Sequence, residues 1–129
     1  MAFIGTTISA SPTIAVVAGA GIEAGAGKAV KLNENGQAVL CSAAGESALG
    51  ILILQTPDVV KAGESVTVQI KDIGVAAAGG TIAAGACVTV DTAGKLTAAA
   101  EGNYVLGQAL EAATAGNFVK VQIAKGGKY

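Results

Sequence analysis

The 129 residues suffice for one domain, or for two small units sharing a core. Apolar residues make up 52% of the chain, but aromatics only 3% and many of the rest are Ala, so the core is thin and favours cover by a partner, most simply copies of itself. A net charge of −1 argues against a nucleic-acid partner. The absence of Arg and His removes the bidentate phosphate fork, the commonest general base and the commonest transition-metal ligand.

In chain order, residues 1–12 read as an extended arm: Phe3, Ile4 and Ile8 are apolar, Thr6 and Thr7 polar, and Pro12 blocks a helix. The N-terminus lacks the basic start of a signal peptide. The apolar runs Ile14–Ala18 and Ala48–Leu54 are too short to span a bilayer, so the expectation is a soluble protein made in the cytoplasm, with no membrane partner. Two hairpins are legible. Val30–Leu32 and Gln37–Leu40 flank the turn Asn33-Glu-Asn-Gly36, and Val88–Val90 and Lys95–Ala99 flank Asp91-Thr-Ala-Gly94. Two strands alternate with period two: Ser65–Lys71, with Val66, Val68 and Ile70 on one face, and Asn117–Ala124, with Val119, Val121 and Ile123 on one face.

These segments fall into two related copies, at about 20–71 and 80–124. Each opens Ile-x-Ala-Gly-Ala (Ile22 and Ile82), passes through a hairpin to Leu-Gly (Leu49-Gly50 and Leu106-Gly107), and closes in Val-x-Val-Gln-Ile (Val66–Ile70 and Val119–Ile123). The segment Gly74–Gly80 between them suits a close-packed crossover or a flexible link. Residues 13–129 are expected to form one all-β domain, with no segment carrying a helical stripe.

The chemical motifs are weak. Gly19-Ala-Gly21-Ile-Glu-Ala24 matches a dinucleotide fingerprint, but Gly25 and Gly27 interrupt the helix that would hold a pyrophosphate. Gly27-Lys28 lacks the rest of a P-loop, since Ala29 carries no hydroxyl for Mg²⁺. The acids Glu23, Glu34, Asp58, Glu64, Asp72, Asp91, Glu101 and Glu111 sit mostly at turns or strand ends, where solvation or a local backbone bond is the usual role. Without His, a Ser nucleophile needs a Lys base, and no SxxK pattern occurs. Cys41 and Cys87 make neither a disulfide framework nor a CxxC pair. They are expected as two partly buried thiols, a single bridge or a reactive thiol being the alternatives. No cofactor, metal or catalytic residue is expected, and no enzyme activity.

The series Lys61-Ala-Gly-Glu-Ser-Val-Thr-Val-Gln-Ile70, Gly74-Val75, Ile82-Ala-Ala-Gly-Ala86, Gly94-Lys-Leu-Thr97 and Val105-Leu-Gly-Gln-Ala109 resembles the small capsid cement proteins of tailed phages. The resemblance spans residues 20–124, with one departure at Ala76–Ala78, where bulkier residues are expected. It implies a compact β-clip, β-tulip or small barrel-like domain on the outer surface of an expanded icosahedral head, made in the host cytoplasm. The implied partners are the major capsid protein and copies of the chain itself, as a homotrimer or a dimer. The arm residues Phe3, Ile4, Thr6, Thr7 and Ile8 are the candidate capsid-binding site, by addition to a coat-protein sheet edge. The alternative is a carbohydrate- or surface-binding adhesin module, for which Phe3, Tyr104, Phe118 and Tyr129 offer little aromatic platform.

Overall fold

The structure, a computed structural model, describes residues 11–53 and 58–129. The arm residues Phe3, Ile4, Thr6, Thr7 and Ile8 therefore lie outside the described residues. Twelve strands are present among those described, and no helix: β1 Thr13–Val17, β2 Ile22–Glu23, β3 Ala29–Leu32, β4 Ala38–Leu40, β5 Gly50–Leu52, β6 Val59–Val60, β7 Ser65–Gln69, β8 Asp72–Ala77, β9 Cys87–Val90, β10 Leu96–Ala98, β11 Tyr104–Ala109 and β12 Phe118–Lys128.

The two turn sequences do the same local work. Asn33 Oδ1 accepts from the backbone N–H of Asn35 and Gln37, at 3.0 and 2.9 Å. Asp91 Oδ1 accepts from Ala93 and Lys95, at 2.8 and 2.9 Å. Gly36 and Gly94 then take φ of +73° and +79°, which a Cβ would oppose. A short acceptor side chain at the first position and a glycine at the fourth thus fix both hairpins.

The repeat in the sequence is a repeat in the topology. One five-stranded sheet runs β1-β7-β5-β3-β4, and the other five-stranded sheet runs β8-β12-β11-β9-β10 read from its opposite end, so the order of corresponding strands is identical; β2 and β6 form a small third sheet. In each sheet the two end strands approach through a single parallel bridge, Ala18 to Ala38 and Ala78 to Leu96. Each sheet is therefore curled round its own core without closing into a barrel. The Leu-Gly steps have a shared cause: a Cβ on Gly50 would strike the Gln69 carbonyl oxygen, and one on Gly107 the equivalent oxygen of Gln122. A tight strand approach forbids any side chain at these two sites.

Two features of the repeat differ from the sequence expectation. Gly74–Gly80 is not a link. Most of it belongs to β8, the counterpart of β1, which pairs with β12 from Phe118↔Ala77 to Ile123↔Asp72. Its small residues let the backbone come close: Ala76 and Ala78 are fully buried. The corresponding units thus begin at Thr13 and near Ile73, earlier than the internal glycine pattern suggests. The glycine matching Gly85 is also Gly27 rather than Gly25. Both have positive φ, and both donate to the middle strand of their own sheet, Gly27 to Leu52 O on β5 and Gly85 to Ala109 O on β11. The first unit carries two extra residues before that turn, which ungapped reading hides.

The cores are arranged unequally. Val30, Leu52, Val66 and Val68 with Ile22 and Val60 form a core inside the first unit. The second core contains Ile82, Val88, Leu96, Leu106, Val119, Val121 and Ile123, and it also takes Ala29, Cys41, Ala48 and Ile51 from the first unit. Backbone bonds stitch this seam: Ala29 N to Gly94 O, Ala77 N to Gly27 O, Gly45 N to Val90 O and Tyr104 N to Gly45 O. Gln69, on the side of β7 that alternation assigns to solvent, is buried there. Its Nε2 donates to the carbonyls of Lys71 and Ile73, at 3.0 and 2.9 Å, tying down the passage between units. A buried amide is tolerated because both donors have partners.

Candidate functional site

Several of the ionisable residues do structural work. Lys31 Nζ lies 2.6 Å from Glu46 Oε1, while Glu46 Oε2 accepts from Ser42 N and Ala43 N, each at 2.7 Å. The hydrogen bond to Glu46 raises the Lys31 pKa. Burial pushes the Glu46 carboxyl upward, but the bonds from Lys31, Ala43 and Ser42 outweigh it and hold the group below its ordinary value. Glu46 is an acid that sequence inspection passes over, because nothing local marks its partner fifteen positions earlier. Among the acids singled out in the sequence, Glu64 caps the turn at Lys61 N (2.6 Å), and Glu111 accepts weakly from Lys120 N (3.2 Å).

Cys41 and Cys87 are both free thiols, the first buried and the second half-buried. Burial pushes the Cys41 thiol up to about 12, so it stays protonated and unreactive near neutrality. The fingerprint segment around Gly19 and Gly21 lies between β1 and β2, with Gly19 N bonded to Ala38 O, and no helix follows. The Gly27-Lys28 pair is a tight turn whose Gly27 N–H is spent on Leu52 O. Among the described residues no group of three His, Cys, Asp or Glu side chains could hold a metal ion.

What the surface does offer is an apolar face. On the outward side of β8 and β12, Ile73, Val75 and Phe118 are 60%, 55% and 65% exposed. The register sets Val75 opposite Lys120 and Ala77 opposite Phe118, so Phe118 lies diagonal to Val75 on one face. Beside them a groove of about 340 Å³ crosses the seam between units, lined by Ala26, Gly27, Leu52, Ile53, Val75 and Phe118. Clustered large apolar side chains at a surface mark an interaction site more than isolated ones do. Sequence reasoning placed Phe118 on the solvent side of its strand but did not join it to β8, because Gly74–Gly80 was not expected to be a strand.

The domain pairs two like five-stranded sheets and exposes Ile73, Val75 and Phe118 on one of them. Its sequence matches the model of the phage cement protein family over residues 4–123. The chain belongs to that family. It is a structural protein associated with the phage capsid. No curated protein matches this cement-family chain. Among solved structures it is similar to the head fibre gp8.5 N base of bacteriophage phi29, at 18% identity and a TM-score of 0.62, covering 91% of this chain and 96% of that one. That likeness establishes the all-β fold of the cement-family chain.

Proposed function

We propose that this chain is a non-enzymatic decoration protein that binds the outer surface of an icosahedral phage head and stabilises the expanded shell. The observation that carries this is the family match across nearly the whole chain, on a fold that exposes Ile73, Val75 and Phe118 together on β8 and β12. The neighbouring structure, a head fibre base, supports the placement on a phage head. The partners are the major capsid protein and further copies of the chain, as a homotrimer. The N-terminal arm, through Phe3, Ile4, Thr6, Thr7 and Ile8, adds to a coat-protein sheet edge. Pro12 supports this geometry: its carbonyl accepts from Ile70 N at 2.8 Å, so the chain enters the domain beside β7, at a sheet margin.

The test is co-sedimentation of the purified protein with undecorated shells, before and after expansion. Saturable binding at a fixed ratio to coat subunits, stronger on expanded shells, is expected. Absence of binding to either form removes the proposal. Deleting residues 2–10 is expected to abolish binding while the domain keeps its far-UV circular dichroism, and undiminished binding overturns the arm model.

A further inference from the structure

The second unit's sheet has a free stretch of edge on the seam between units. β8 is an end strand of that sheet and pairs only with β12. The Ala78 N–H bonds toward β12, at Asn117 O, so by alternation the backbone groups of Ile73, Val75 and Ala77 point the other way. Two of these groups are in use: Ala77 N donates to Gly27 O at 2.8 Å, and Ile73 O accepts from Gln69 Nε2 at 2.9 Å. Between them, Val75 presents an N–H and a carbonyl that bond to none of the described residues. The groove beside this edge, walled by Ala26, Leu52 and Phe118, shares Ala26 and Phe118 with a second groove of about 460 Å³. That second groove passes over Ala77 and Ala78 to Lys28 and Lys95. Both lysines are half-buried, and neither forms an ion pair with any of the described residues. Asp58 lines the same end, with Oδ2 3.5 Å from Ala26 N, which leaves the lysines in excess. Lys120, exposed and opposite Val75 in the register, adds a third positive charge nearby.

We propose that this edge and groove receive a short extended segment of the coat protein, which pairs with Val75, lays an apolar side chain against Leu52 and Phe118, and turns an acid toward Lys28 and Lys95. Three observations choose that occupant. A free N–H and carbonyl on one edge residue call for a backbone partner, which an extended segment supplies and a helix does not. Gly27 fills the edge at Ala77, so the open stretch suits a loop or a terminus and not a long strand. The lysines call for an acid, and residues 1–10 contain none, so the arm of a second copy leaves them unmatched. At the rise of a strand, Val75 to Ala78 spans about 10 Å, so the acid stands within about three residues of the apolar anchor. The inference rests on the shell binding proposed above and gives it a second contact of opposite sense. The arm adds to a coat edge, and a coat segment adds to this one.

The experiment is co-sedimentation of the full chain with expanded shells, for the wild type and four variants whose folding is checked by far-UV circular dichroism. Val75→Pro removes the edge N–H and is expected to weaken binding about tenfold. Lys28→Glu combined with Lys95→Glu is expected to weaken it by about as much. Val75→Ile keeps both backbone groups and is expected to bind as the wild type does. So is Ala15→Pro, which removes the corresponding N–H from the edge of β1. If Val75→Pro does not fold, Phe118→Ser, at a side chain 65% exposed, replaces it. Undiminished binding by the folded edge variant or by the lysine double variant overturns the proposal and leaves shell binding standing. An equal loss from Ala15→Pro overturns the assignment to β8. A wild type that binds no shell removes the proposed function itself, and this contact with it. Analytical ultracentrifugation closes the remaining route: an oligomer that Val75→Pro dissolves would give the edge to a second copy and overturn the proposal.

Discussion

The first and second units share strand order, turn chemistry and the two forbidden Cβ positions, yet they fill their interiors differently. Ala38 and Leu52 of the first core correspond to Leu96 and Ala109 of the second. A small and a large residue have exchanged strands, which preserves the summed volume while moving the bulk across the core. Packing tolerates such exchanges when total volume is kept, and it resists unbalanced ones. The comparison teaches that backbone constraints are copied strictly between units, whereas side-chain filling is conserved only in sum.

The largest expected effect breaks the part that both units hold in common. Gly50→Val and Gly107→Val each drive a side chain into a neighbouring carbonyl, so each is expected to cost about 3 kcal/mol or more. Chemical denaturation that finds either substitution mild would mean the close strand approach is not required.

Next comes the exchanged pair. Leu96→Ala removes a fully buried side chain and is expected to cost about 2–5 kcal/mol. Leu96→Ala combined with Ala109→Leu copies the first unit's arrangement and is expected to recover at least half of that loss. A double variant no better than the single one would show that the two interiors are shaped differently, not merely filled differently.

The turns come third. Asn33→Ala and Asp91→Ala each remove an acceptor for two backbone N–H groups, at about 1 kcal/mol apiece by analogy with lost helix caps. Thermal melts are expected to show the larger fall for Asp91, since bonds to a charged acceptor are stronger.

The smallest effects at neutral pH come from ionisation, and they fall on the first unit. Glu46 has a lowered carboxyl pKa in the fold. Its contribution is therefore complete above the ordinary Glu value of about 4.3 and is lost as pH falls through the lower folded value. Glu46→Gln is expected to flatten that acid limb of the melting temperature. Cys41 behaves oppositely. Its raised pKa means its contribution is full below the ordinary thiol value of 9.0 and is lost as pH climbs toward about 12. Thiol titration at neutral pH should label Cys87 first and Cys41 only on unfolding, and rapid labelling of both would contradict the burial of Cys41.

Much of this is legible in the sequence. The hairpin turns, the alternating β7 and β12 strands, the all-β class and the doubled pattern of glycines follow from local rules: period-two alternation, acceptor-and-glycine turns, and the absence of a helical stripe. The strand β8 was not legible, because Gly-Val-Ala-Ala-Ala carries no alternation of size and its pairing partner lies more than forty residues away. The two extra residues before Gly27 were hidden for a related reason. An Ala/Gly-rich segment aligns with itself in several registers, and only the bonds to Leu52 and Ala109 choose one. The open apolar face was half visible, since Phe118 stood alone on a polar side until β8 brought Ile73 and Val75 beside it.

By itself, then, the sequence determined which residues turn and which extend, since those choices depend on φ preferences and on neighbours two to four positions apart. The tertiary structure alone decided how the units meet. Ile51, Ala29 and Gln69 could each face water or a core, and the stacking of the first unit on the second buries them. The same stacking leaves Phe118 exposed on the second unit. Burial on a second sheet face depends on what is packed there, and a strand's own residues do not encode it.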